Sequence, residues 1–196
     1  MTRYGDTRLW LADDFFLIAL DDRTGRLELH PAAMGVGLAG ALLGELVFCG
    51  NITIDAGRPW VLSRQPPRNV LAHTVLERLA AEQHDLHTWV AFLAQNGVDE
   101  VAARLEQRGF VSRQEARGWR RTAVSYVPTD VNTVAWRAVR LATALARQEQ
   151  LDRSDQLLAG LVWATDLARR VLWNSGPDAV RYLHAVVADL DRPMKS

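Results

Sequence analysis

Apolar residues recur at a three-to-four spacing over most of this chain, and the breaks in that spacing mark its turns. Leu9, Trp10, Phe16, Leu17 and Leu20 follow Thr7, a residue able to cap a helix, and Arg23-Thr24-Gly25 closes the run as a turn. The pattern predicts an amphipathic first helix, a short strand at Leu27-Glu28-Leu29, and a helix opening at Pro31, where proline suits the first turn. From Gly35 to Cys49 the sequence GVGLAGALLGELVFC is apolar on every face and carries one charge, Glu45. In a soluble protein such a helix is the enclosed central element, with Leu38, Leu42, Glu45, Leu46 and Phe48 inside. Its fifteen residues fall short of the roughly 20 needed to cross a bilayer, so no transmembrane segment is predicted. Gly37, Gly40 and Gly44 let neighbouring helices approach closely.

Ile52 and Ile54 alternate with polar residues, and Pro59 to Leu62 returns across Ala56-Gly57, which predicts a hairpin. After Pro66-Pro67, Leu71, Val75, Leu76 and Leu79 define one helix and Leu86, Trp89, Val90 and Leu93 another. Asn96-Gly97 is expected to separate the latter from a helix over Asp99 to Arg108, and a second hairpin follows through Gly118 to Val127. Thr129 or Asp130 can cap a long helix reaching about Gln150; two more follow, over Ser154 to Trp173 and Pro177 to Leu190, with Asn174-Ser175-Gly176 between them. About seven helices and two hairpins place the chain in the mainly α class, a single domain over 1–196 with its ordered core at about 7–191.

Composition narrows the function classes. Lys plus Arg equals Asp plus Glu at 23 each, so any electrostatic partner must be met by a local patch. Lys195 is the only lysine, leaving 22 arginines, a bias that fits a GC-rich genome and does not weaken an anion-binding role. The single cysteine, Cys49, excludes an intrachain disulfide and agrees with a reducing compartment; at the end of so apolar a run it is expected to be a packed core thiol. Met1 to Asp6 lacks the basic and apolar regions of a secretory signal, so the expected location is cytoplasmic.

Catalytic motifs are missing. There is no Gly-x-Ser-x-Gly elbow, Walker loop or His-Glu-x-x-His helix, and Gly35-Val36-Gly37 with Gly40 follows no long strand, so close helix packing explains those glycines better than a phosphate loop. His84 and His87 could share a helical face, but no third metal ligand accompanies them. Asp13-Asp14 reads as solvated surface, and Glu45 as half of a structural ion pair, because an unpaired buried carboxylate is very costly. No catalytic residue, metal or cofactor is expected.

From Arg104 to Arg121 six arginines (Arg104, Arg108, Arg113, Arg117, Arg120, Arg121) face Glu106 and Glu115, a local excess of four positive charges. This is the candidate anion-binding surface, with Arg113, Arg117, Arg120 and Arg121 on its hairpin and Trp119 between them. A helix ending in Gln107-Arg108-Gly109 before an Arg-rich hairpin also resembles the last helix and wing of a winged-helix DNA-binding domain, although that helix carries Asp99 and Glu100 where a base-reading face would be needed. A scaffold that binds proteins alone is the remaining alternative.

The run Leu38-Ala39-Gly40-Ala41-Leu42-Leu43-Gly44-Glu45-Leu46 through Gly50-Asn51-Ile52 resembles the central helix of the Golgi phosphoprotein 3 family, with its Leu-x-x-Glu-Leu core before a glycine and a short strand. Leu9 to Asp22 looks like the family's opening helix, and Arg104-Leu105-Glu106-Gln107-Arg108-Gly109-Phe110-Val111 is similar to its Leu-Val-x-x-Gly-Val segment. The resemblance spans about Leu9 to Leu190 and suggests a bacterial-type member. It implies a buried central helix bundle, no enzyme activity, and a peripheral membrane or adaptor role with anionic phospholipid headgroups or protein tails as partners. In eukaryotic members phosphatidylinositol 4-phosphate is held by a Trp and three Arg; the aligned positions here are His30, Ala39, Gln95 and Val98, and none keeps the family's residue. The resemblance therefore carries the fold further than the ligand, because a phosphate site without its arginine forks loses charge-assisted bidentate bonds. The oligomer-forming hairpin insertion between Leu62 and Asn69 also looks absent, and oligomeric state is not legible.

Overall fold

The computed structural model describes residues 9–117 and 122–190. Along them run α1 (Leu11–Ile18), α2 (Pro31–Phe48), β1 (Ile52–Asp55), β2 (Arg58–Val61), α3 (Val70–Ala81), α4 (Leu86–Gln107), β3 (Val111–Arg117), β4 (Thr122–Pro128), α5 (Val131–Ala146), α6 (Arg153–Ala164), α7 (Ala168–Val171) and α8 (Pro177–Leu190). The mainly α class with two short antiparallel hairpins is what the sequence predicts.

Helix α2 is the centre. His30 caps it through Nδ1, which accepts the Ala32 N–H at 3.3 Å, and Pro31 occupies the first turn. Leu38, Ala41 and Leu42 enter the larger apolar cluster with α1, α5, α6 and α8, while Ala39, Leu43 and Leu46 enter a smaller one with Ile52, Val75, Leu76, Trp89 and Leu93. A helix apolar on every face is the physical requirement for joining two cores. Its glycines serve close approach: a Cβ on Gly37 would lie 2.3 Å from the Phe15 ring, and one on Gly35 would lie 2.5 Å from the Ala94 carbonyl oxygen.

The neighbours of α2 are ordered along it. Gly35 meets Ala94, Leu38 meets Gly97 and Glu45 meets Arg104, each pair 59 residues apart, so α2 and α4 run parallel in constant register. Leu11 meets Gly44 and Phe15 meets Gly37, so α1 runs antiparallel to α2.

Several boundaries differ from the sequence pattern. The expected break at Asn96-Gly97 does not occur, because Gly97 is buried against α2, where a Cβ added to it would lie 3.4 Å from Leu38 Cβ, inside one continuous helix of 22 residues. The expected helix over Ser154 to Trp173 is two, α6 and α7, divided at Asp166, whose φ of 60° no α-helix accepts. Leu27 forms only an isolated bridge with Leu20, and α5 stops at Ala146. Cys49 is not a packed core thiol but exposed, and Phe48 is 39% exposed, since the last turn of α2 outruns the elements around it. Thr7 and Trp119 lie outside the described residues.

Candidate anion-binding site

The chemistry of this molecule gathers where α1, α2 and α4 meet the start of α3. Glu45, 2% exposed, projects from α2 toward all three. Its Oε1 accepts the Ala12 N–H at 2.9 Å, its Oε2 accepts Asn69 Nδ2 at 2.8 Å, and Arg104 donates to both oxygens at 3.3 Å. Asp13, wholly buried, accepts Arg104 Nε and Arg108 Nη1 at 2.8 Å each, and the Trp10 N–H at 3.1 Å. Burial pushes the Glu45 carboxyl above the usual carboxylate range, against the pull of Arg104 and the Ala12 N–H. Asn69 also caps α3, its Oδ1 accepting the Leu71 and Ala72 N–H groups.

The expectation for Glu45 holds, and that for Asp13-Asp14 is corrected. Asp13 is interior, and Asp14 is 13% exposed beside Arg137 at 3.3 Å. The helix spacing carried the signal: Asp13 stands four residues from Leu9 and from Leu17, on the apolar stripe itself. Arg104 and Arg108 likewise share a face with Val101 and Leu105 and turn inward, where the sequence alone counted them as surface charge.

The expected basic surface is thereby reduced. Arg113 lies between Asp99 and Glu115, 3.2 Å from each, while its backbone N–H donates to Glu106 at 2.9 Å. Arg117 ends β3 opposite Thr122, and its side chain, with Arg120 and Arg121, lies outside what is described.

The four family-aligned positions lie along the α2–α4 seam. The 59-residue register sets Val98 level with Ala39 and Gln95 one turn earlier, while His30 stands nine residues before Ala39, about 13 Å along the axis. Ala39 is fully buried within the smaller cluster, Val98 packs against the larger one, and His30 and Gln95 are exposed. None of the four carries a guanidinium.

Beside the ion cluster opens a cleft of about 520 Å³, walled by Trp10, the Arg68–Thr74 start of α3 and the Glu100–Arg108 end of α4. Among the described residues no group of three or more His, Cys, Asp or Glu could hold a metal ion. His84 pairs with Glu82 at 2.9 Å.

These features define a mainly helical protein whose charged residues brace a central helix, with a cleft at the edge of that brace. The chain belongs to the Golgi phosphoprotein 3 (GPP34) family, whose profile matches residues 11–192, nearly its whole length. No curated relative matches it.

Proposed function

We propose that this chain is a non-catalytic adaptor of the peripheral membrane type, a bacterial-type cytoplasmic member of its family, whose partners are anionic phospholipid headgroups or protein tails. The observation that carries the reading is the family match over residues 11–192. The membrane-facing charge is assigned to Arg117, Arg120 and Arg121, because Arg104 and Arg108 turn inward onto Asp13 and Glu45 and Arg113 lies between Asp99 and Glu115. Phosphoinositide selectivity is not expected, since Ala39, Gln95 and Val98 supply none of the guanidinium forks that hold a phosphate.

The test is cosedimentation with liposomes of matched surface charge, with and without phosphatidylinositol 4-phosphate, at two salt concentrations, beside a labelled-duplex DNA pulldown. The expected result is binding that weakens with salt, is indifferent to the phosphoinositide, and falls in the Arg117, Arg120 and Arg121 triple Ala variant. Phosphoinositide-selective binding that survives in the triple variant would overturn the assignment of the surface, and retention by DNA alone would overturn the function.

A further inference from the structure

The cleft beside the ion cluster has the size and the wall chemistry of a ligand site in its own right. At about 520 Å³ it lies within the range that encloses a small organic molecule. Its apolar lining comes from Trp10, Val70, Leu71 and Ala103. Its cationic lining is Arg68, Arg104 and Arg108, against a single lining carboxylate, Glu100.

Three details give the polar side a sign. Asp13 and Glu45, which balance Arg104 and Arg108, do not line the cleft; they sit behind the guanidiniums, fully buried. A ligand entering from solvent therefore meets the cations before their counter-ions. Arg104 gives three N–H bonds to those carboxylates, and a guanidinium has more donors than that, so donor capacity remains on a side chain fixed in place and still 10% exposed. Arg68, also in the lining, is exposed and has no hydrogen-bond or ion-pair partner among the described residues. Donors fixed by buried carboxylates and an exposed cation suit an oxyanion, and an indole suits the apolar body that carries it.

We propose that this cleft binds a small organic oxyanion, a phosphate or carboxylate group on an apolar body, with the oxyanion on Arg68 and Arg104 and the body against Trp10. The lining shares no residue with the candidate hairpin surface or with the four family-aligned positions. A membrane lipid and a soluble metabolite share this chemistry, so the experiment distinguishes them.

The probe is phenyl phosphate, followed by the indole N–H resonance of Trp10, which is assigned by its loss in Trp10→Phe. A saturable shift is expected, with phenol and inorganic phosphate each binding more weakly because each lacks half of the recognised group. Arg68→Ala removes one charge-assisted bond from an exposed position and should weaken phenyl phosphate about tenfold. The triple Ala hairpin variant should bind the probe unchanged, which keeps this test independent of the proposed membrane surface. Vesicles of phosphatidic acid compared with phosphatidylglycerol at equal charge assign the source: Arg68-dependent preference for the monoester marks a lipid, and its absence marks a soluble ligand. No shift at Trp10, or a shift indifferent to Arg68→Ala, would overturn the proposal.

Discussion

Three carboxylates in different environments, Glu45, Asp13 and Asp14, control how this protein responds to substitution and to pH. Glu45 and Asp13 share Arg104, so removing that cation leaves two interior charges with reduced compensation. Arg104→Met is expected to destabilise by about 3–5 kcal/mol, while Arg104→Met combined with Glu45→Met recovers part of the loss, because a missing pair costs less than a broken one. Urea midpoints of the two variants check this, and equal midpoints would mean that Glu45 is not held by Arg104. Asp14 behaves differently. Burial raises its carboxyl to about 6, although Arg137 and Arg140 pull the other way. Since its folded value exceeds the unfolded one, the stability it contributes is full below about pH 4 and is lost as pH rises through about 6. Asp14→Asn should therefore match the parent near pH 4 and exceed it near pH 7, by up to about 3 kcal/mol. Denaturant titrations at both pH values measure the gap, and a constant difference would refute the assignment.

Among the elements, α2 is the one whose sequence leaves least freedom. Gly37→Ala would push a methyl into the Phe15 ring, whose nearest atom lies 2.3 Å from the added Cβ. An overpacked core of this kind costs about 1–3 kcal/mol, despite the gain in helix propensity, and a thermal shift upward would show that Phe15 has room to move. The central helix, both hairpins and the cap residue Asp130 were legible because propensity and packing agree there. The pattern misled where a residue with a strong local meaning was recruited by tertiary structure. Asn96-Gly97 reads as a turn in isolation, yet Gly97 lets α4 lie against Leu38, and the contact outweighs the break. Arg104 and Arg108 read as surface charge because their counter-ions, Asp13 and Glu45, are 91 and 59 residues away from Arg104 along the chain. The cleft was illegible for the same reason, since Trp10, Arg68 and Arg108 come from three separate elements.

At the scale of the whole molecule, the parallel register of α2 and α4 has a consequence for synthesis. An 18-residue helix of mean hydropathy 1.6 emerges first, and by length and composition alone it would qualify as a membrane span. Its cover in α4 follows 59 residues later in the chain, roughly 3–12 s at about 5–20 residues per second. During that interval the nascent chain displays to targeting factors and chaperones a segment that the finished protein encloses. A translated fragment ending at residue 85, just before α4, is expected to fractionate with added microsomes or with a chaperone, and a fragment carried through α8 to remain in the supernatant. If both fragments stayed in the supernatant unaided, α2 would have found cover before α4 existed. For this protein the hazard is one of timing: the helix that anchors the finished fold is, until α4 is made, an apolar stretch without that cover.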